Sequence, residues 1–231
     1  MKKKYIFIVF LLFFFTGILP PLFVSGGAPF SHVESSLSTC ITIFGQLSGA
    51  LVLHCFCSRF VLPRPRPRRH FFVLLSCATV SFGLLMLISA AIESLCFFFP
   101  RFFVSQHFVL RPSGFLSCFF FVLSLITGAT YEEVVYREFL PETALFCAKA
   151  MSPRQWLHSS VDLCVELCSV LIFAFSHRYL GLPAVINAAL SGIVLRRCFC
   201  KTGTVLSGCI IHFLYNLLLV IFLLLSKLSP A

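Results

Sequence analysis

The sequence has few charged residues. Only 11% of its 231 residues are charged, whereas about 25% is usual for soluble proteins. The mean hydropathy is +1.00, and 59% of the residues are apolar against a usual value of roughly 45–50%. This composition excludes a soluble enzyme, a nucleic-acid-binding module and a disordered chain. The apolar runs are long and unbroken, unlike the alternating segments of about ten residues that form a transmembrane barrel.

Some familiar metal-site patterns are also absent. The sequence has twelve cysteines but no Cys-x-x-Cys pair. We therefore expect these cysteines to pack as small apolar side chains rather than to form a zinc site or a disulfide framework. No His-Glu-x-x-His motif is present, and that motif is the usual signature of a zinc peptidase helix.

The apolar residues fall into seven runs, which predict an all-α fold: a polytopic transmembrane helical bundle with about seven membrane helices. The runs cover residues 5–24, 40–57, 71–92, 115–132, 161–176, 183–195 and 205–225. The first run could be a signal peptide, but it is long for an apolar signal core of about 7–15 residues, so we expect a retained span. Residues 1–113 contain the first spans and no motif with an assignable role.

The basic residues predict the orientation of the chain. When the N-terminus is placed inside and each run crosses once, 14 lysines and arginines fall in inside loops and four in outside loops. Inside loops of membrane proteins carry such an excess of positive charge. We therefore expect a multi-pass integral membrane protein with a cytoplasmic N-terminus, in contact with the lipid bilayer and not with nucleic acid.

Acidic residues are scarce and clustered. The chain has eight carboxylates, and four of them (Glu132, Glu133, Glu138 and Glu142) lie within eleven residues. An acid at the centre of a membrane helix costs roughly 2.5–3.5 kcal/mol on insertion scales, so it indicates a functional site. Glu133 and Arg137 are four apart and share a helix face, whereas Glu132 points about 100° away. The alternative interpretation is an ordinary charge cluster at a helix end.

Two polar patterns follow further along the chain. Phe173 precedes His177 by one helical turn, and His212 precedes Asn216 by one turn within the last apolar run. A single histidine on an apolar helix is usually a satisfied core residue. Two polar groups on one face of a membrane helix indicate a shared interior role.

In this order, the three patterns resemble the CAAX-protease and bacteriocin-processing (CPBP) family of intramembrane proteases. The family's motifs are Glu-Glu-x-x-x-Arg, Phe-x-x-x-His and His-x-x-x-Asn, and residues 132–137, 173–177 and 212–216 match them. Gly192 and the Thr202-Gly203 pair also fit the family pattern. The resemblance marks residues 114–226 as a CPBP-like protease core.

One residue departs from the family pattern. Glu138 follows the motif arginine, where the family often has glycine. We expect this extra acid to compete with Glu133 for Arg137.

The resemblance implies hydrolysis of a peptide bond inside the membrane by a glutamate-activated water. The substrate would be a membrane-associated peptide or protein, either prenylated near its C-terminus or unmodified. The implied catalytic residues are Glu132, His177, His212 and Asn216, and the supporting residues are Glu133, Arg137 and Phe173. No metal cofactor is expected, although two histidines and a glutamate are ordinary zinc ligands.

Two other functions remain open at this point. The chain could be a non-catalytic relative that acts as an immunity or partner-binding protein, although all seven motif residues are present. It could also be a small transporter with a proton relay, although the sequence shows no inverted repeat.

Simple counting of crossings raises a conflict, because it places Glu132 and His177 at opposite membrane faces. We therefore expect the fourth helix to continue past Glu132 to about Pro141 or beyond, as a kinked extension. Glu132 would then lie near the middle of the membrane. We also expect His177 to lie deeper in the membrane than the loop count suggests.

Overall fold

The computed structural model describes residues 2–23, 37–62, 71–101, 112, 114–151 and 158–226. Within these ranges the chain forms α1 (Lys2–Phe13), α2 (Leu37–Phe56), α3 (Phe71–Phe98), α4 (Gly114–Glu133), α5 (Leu140–Met151), α6 (His158–Ser176), α7 (Leu182–Thr202) and α8 (Val205–Ser226). Short π-helical pieces lie at Phe14–Ile18, Cys57–Val61 and Val134–Phe139, and 3₁₀ turns lie at Pro20–Phe23 and Arg178–Leu180. The described part of the chain contains no strand, so the predicted all-α fold is confirmed.

Six helical stretches of the described chain are long and apolar enough to cross a membrane. They are Lys3–Phe23, Leu37–Val61, Phe71–Phe98, Gly114–Ala150, Leu182–Thr202 and Val205–Leu225. The protein is therefore a multi-pass integral membrane protein. The expected count of about seven is one higher, because the run at 161–176 became α6, which is not among the six. Helix α6 has 19 residues, and Asp162 and Glu166 lie in its first half.

The fourth membrane helix extends well past the acidic cluster, as predicted. Helix α4 passes through Val134–Phe139 into α5 without a break, so that Gly114–Ala150 forms one stretch of 37 residues. We call Val134–Phe139 the π segment. All six of its residues are buried, and π-helical turns within α-helices are frequent at functional sites. The predicted kink and the depth of Glu132 in the bilayer stay predictions.

The helices pack so that the π segment lies inside the bundle. Helix α2 packs against α4 and the π segment, and α7 packs against α3, α6 and α8. Helix α8 also packs against α3 and α4, and α1 packs against α5. Large apolar side chains such as Phe72 and Phe115 are strongly exposed on the outside, as expected for helices whose outer faces contact lipid. All twelve cysteines are free thiols.

A tight turn joins the last two helices. Helix α7 ends at Gly203, whose φ of +71° is in the left-handed region that favours glycine. The Gly203 N–H donates to the Phe199 carbonyl at 2.8 Å, in the manner of a helix C-cap. The connection is so short that α8 returns beside α7, and this sets the level at which His212 meets the other helices.

Two arginines correct the charge count. Arg137 and Arg196 were assigned to inside loops, but they lie within helices and are 1% and 6% exposed. Helix α7 was expected to end at Leu195 but continues to Thr202. Arg196 is accommodated there because its charge is neutralised inside the bundle. Without Arg137 and Arg196, the number of lysines and arginines assigned to inside loops falls from 14 to 12. Several other counted residues, among them Arg64, Arg66, Arg68 and Arg69, lie outside the described residues. The cytoplasmic N-terminus stays a prediction.

Candidate active site

The carboxylate of Glu132 faces two histidines from distant parts of the chain. Its Oε2 atom lies 3.9 Å from His177 Nε2 and 3.8 Å from His212 Nε2. Glu132 is the penultimate residue of α4, His177 follows the end of α6, and His212 lies in α8. The side chains of Glu132 and His177 are 32% and 23% exposed, so the group is open on one side. The structure therefore brings these three residues together.

Hydrogen bonds orient both imidazole rings. His177 Nδ1 lies 2.9 Å from the Phe173 carbonyl, and His212 Nδ1 lies 3.0 Å from Glu133 Oε1. If each Nδ1 donates in these bonds, the Nε2 atom of each neutral ring presents a lone pair toward Glu132. The gaps of 3.8 and 3.9 Å exceed a direct hydrogen bond. A water molecule could bridge groups at this spacing.

Glu133 and Arg137 form the predicted ion pair on the buried side of the helix. Arg137 Nε lies 3.7 Å from Glu133 Oε1, and both side chains are almost fully buried. The Arg137 guanidinium also stacks on Phe173, with 3.9 Å from Cζ to the ring centroid. The Phe173 ring in turn lies 4.6 Å from the His177 ring, centre to centre. Arg137 and Phe173 therefore connect the α4 end of the site to His177. Gly192 of α7 packs beside this ring, and a Cβ atom there would lie 3.4 Å from it.

A glycine that the sequence reasoning missed makes room for Glu133. A Cβ atom at Gly208 would lie 2.6 Å from Glu133 Oε2, a distance that two such atoms do not adopt. Gly208 lies on α8 one turn before His212, whose Nδ1 is hydrogen-bonded to the same carboxylate. The spacing Gly-x-x-x-His was the available signal in the sequence.

Glu138 contacts a histidine of α2 instead of competing for Arg137. Its Oε2 atom lies 2.7 Å from His54 Nδ1 on α2, so its carboxylate is engaged on the other side of the π segment. The expected competition with Glu133 for Arg137 is therefore wrong. The reason is geometric, because adjacent residues on a helix point in different directions. No motif or spacing in the sequence indicates that His54 is the partner of Glu138.

Arg196 is a second residue that the sequence reasoning missed. From α7 its Nη1 atom donates to the Arg137 carbonyl at 2.7 Å and to Glu142 Oε1 at 2.9 Å. Its Nε atom donates to Glu166 Oε2 at 2.8 Å. This one side chain therefore joins α5, α6 and α7 to the backbone of the π segment. The signal in the sequence was a charged residue immediately after an apolar run.

Asn216 is the motif residue that the structure does not tie to the others. It is half-buried on α8, one turn after His212. Within the described part of the chain, no hydrogen bond or ion pair joins it to the other six motif residues. Its amide is therefore free to act on a bound molecule, and its assignment to an oxyanion hole stays a prediction.

Tyr179 lies beside the site in the turn between α6 and α7. Burial raises the pKa of Tyr179, and the negative charge of Glu132 raises it further. The phenol therefore keeps its proton at neutral pH. No motif spacing in the sequence singles out this tyrosine.

Three residues of the site are of types that bind metal ions. Glu132, His177 and His212 are residue types that zinc accepts. In the described ranges, no group of three or more His, Cys, Asp and Glu side chains is arranged to hold a metal ion. The expectation that no metal is used remains a prediction.

Comparison with known proteins supports an assignment for the second half of the chain. Residues 114–218 match the family model of Rce1-like proteins, described as type II CAAX prenyl endopeptidases. No curated protein and no solved structure matches the chain. The matched segment begins with α4 and extends into α8, and it contains all seven motif residues.

Proposed function

We propose that this chain, whose residues 114–218 match the family model of Rce1-like type II CAAX prenyl endopeptidases, is an intramembrane endopeptidase that uses a glutamate-activated water. The observation that carries the proposal is the convergence of His177 Nε2 and His212 Nε2 on one oxygen of Glu132, at 3.9 and 3.8 Å. The family description supplies the type of activity, and these three side chains are the groups that we propose carry it out.

Glu132 acts as the general base. Its carboxylate takes a proton from a water held between Glu132 and His177, and the water oxygen bonds to the carbon of the scissile carbonyl. The C–N bond then breaks, and Glu132 returns the proton to the leaving amine. A positioned base of this kind contributes about 10²–10⁴-fold to the rate. The partial exposure of Glu132 and His177 supports access by water and peptide.

The other motif residues position the base and receive the developing negative charge. Asn216 lies on the same face of α8 as His212, and its amide N–H would stabilise the oxyanion of the tetrahedral intermediate. Glu133 holds the His212 ring through the 3.0 Å bond, and Arg137 balances the charge of Glu133. Phe173 shapes the pocket and supports the Arg137 guanidinium.

The substrate we propose is a membrane-associated peptide or protein with a cleavage site near its C-terminus, and the family description favours a prenylated one. The test uses the full-length chain in proteoliposomes with two matched peptides, one prenylated and one unprenylated. Glu132→Gln should lower the cleavage rate about 10²–10⁴-fold, measured by mass spectrometry of the products. Strong chelators should leave the wild-type rate unchanged.

Asp162→Asn is the matched control for loss of a carboxylate. Asp162 pairs with Lys149 at 2.8 Å on an exposed surface, and such pairs contribute little to stability. This variant should cleave at the wild-type rate. Wild-type activity in Glu132→Gln would contradict the mechanism, and loss with chelator followed by recovery with zinc would contradict the metal-free reaction. If wild-type protein cleaves neither peptide, the non-catalytic interpretation is favoured.

A further inference from the structure

A groove lies between α3 and α7. Its volume is about 310 Å³, within the lower range of small-molecule sites. The two helices run antiparallel. Ser81 of α3 contacts Cys198 of α7, whereas Ser89 contacts Tyr215, which hydrogen-bonds Asn187 of α7. The beginning of α3 therefore lies beside the end of α7.

One end of the groove is cationic. Arg197 and Lys201 line it from the last turns of α7, four residues apart and hence on one helix face. Both side chains are exposed. Neither forms an ion pair or hydrogen bond with another described residue, and none of the residues that line the groove is acidic. Ser76, near the start of α3, adds a hydroxyl at the same end.

The other end of the groove is apolar and open to the side. Val80, Leu84 and Ile193 line it, and they are 62%, 42% and 45% exposed. Both α3 and α7 are long enough to span the membrane, so these exposed side chains face hydrocarbon. The lining of the groove thus changes from two cationic side chains to apolar side chains over about 12 Å, the length of eight helical residues.

We propose that this groove binds an anionic phospholipid, with the phosphate at Arg197 and Lys201 and the start of an acyl chain along Val80, Leu84 and Ile193. Basic pockets between membrane helices bind anionic headgroups. A free phosphate would use the cations and leave the apolar wall without a function. A neutral prenyl chain would use the wall and leave two cations uncompensated. The proposal concerns lipid binding alone and does not depend on the proposed protease activity.

Native mass spectrometry of the delipidated full-length protein tests the site. Titration with phosphatidylglycerol and phosphatidylcholine of equal chain length should show stronger binding of the anionic lipid. Arg197→Gln/Lys201→Gln should weaken phosphatidylglycerol binding about 30-fold, the effect of two surface cations. Ile193→Trp keeps both charges but fills the apolar end from an exposed position, and it should also weaken binding. A phosphatidylglycerol with a photoreactive acyl chain should crosslink to α3 or α7 peptides.

The control is Lys4→Gln/Arg101→Gln, which removes the same charge at two exposed positions outside the groove. It should bind phosphatidylglycerol like the wild type. Equal binding of the two lipids by wild-type protein would overturn the proposal, as would full binding by the Arg197/Lys201 variant. Displacement of the bound lipid by inorganic phosphate, or by a prenylated neutral peptide, would also overturn it, because the occupant would then be different.

Discussion

Glu132 and Glu133 are neighbours in the sequence but lie in different surroundings. Glu133 is 1% exposed, with contacts to His212 and Arg137, whereas the Glu132 side chain is 32% exposed and faces two imidazoles. The turn of about 100° between adjacent helical residues places one carboxylate in the packed interior and the other in the open pocket. One acid is therefore available for chemistry while the other fixes the geometry.

At this scale the sharpest test is Gly208→Ala. Alanine is favoured over glycine in a helix by about 1 kcal/mol, so the substitution should not destabilise α8 itself. The new Cβ would lie 2.6 Å from Glu133 Oε2, and the Glu133 carboxylate would have to move away from His212. We expect kcat to fall about 100-fold, the size of effect that a displacement of about 1 Å can produce, while the melting temperature changes little.

Gly83→Ala in α3 is the matched control, since a Cβ there has no neighbour within 4 Å. It should leave peptide cleavage unchanged. If Gly208→Ala retains wild-type kcat, the Glu133–His212 contact does not position the catalytic group.

At the scale of elements, the π segment determines where the motif side chains point. It begins directly after Glu133 and contains Arg137 and Glu138. A π-helical turn leaves the regular α-helical hydrogen-bond pattern, and Arg196 donates to one carbonyl of this segment, that of Arg137, at 2.7 Å. Helix α7 thus supports the geometry of α4 although it contributes no implied catalytic residue.

Arg196→Lys should therefore impair catalysis more than folding. Lysine keeps the positive charge near Glu142 and Glu166 but lacks the guanidinium fork that reaches three groups at once. We expect a folded protein whose kcat is about tenfold lower with KM little changed, because the π segment loses its support. Arg196→Gln should lower the melting temperature as well, since it leaves two carboxylates without their cation.

Steady-state kinetics in proteoliposomes and a thermal melt measure these two effects. Arg101→Gln, an exposed charge loss near the end of α3, should change neither quantity. Equal kcat in Arg196→Lys and wild-type protein would show that Arg196 contributes only bulk charge.

At the scale of the whole molecule, the bundle covers its polar cluster with the helices of both halves. From the first half, α2 packs against α4 and the π segment and α1 packs against α5, and His54 of α2 contacts Glu138. From the second half, α7 and α8 cover the opposite side. Charged side chains at this depth are tolerated because each meets a partner inside the protein instead of lipid.

The orientation of the whole bundle is predicted from charge. A tag fused to the N-terminus should be cleaved by a protease that is added to the cytoplasmic side of sealed vesicles. Replacement of Lys2, Lys3 and Lys4 with glutamine should lower the fraction of correctly oriented chains, because inside loops depend on such charge. A tag that is protected until detergent is added would contradict the cytoplasmic N-terminus.

Local sequence patterns were enough to predict the class of fold, the positions of most helices and the seven motif residues. Helices α3 and α8 begin at Phe71 and Val205, where their apolar runs begin, because a membrane helix is a property of one local segment. The pairing of Glu133 with Arg137 was equally readable, since both lie on one turn of one helix.

Contacts between segments that are far apart in the chain could not be predicted in this way and are known from the folded structure. The bond from Arg196 to the Arg137 carbonyl joins residues 59 positions apart, and the bond between His54 and Glu138 joins residues 84 positions apart. Such pairs depend on which helices pack together, and local periodicity carries no information about that. For the same reason the sequence could not show that Glu132 faces both histidines, or that α7 buries an arginine that looked like part of a loop.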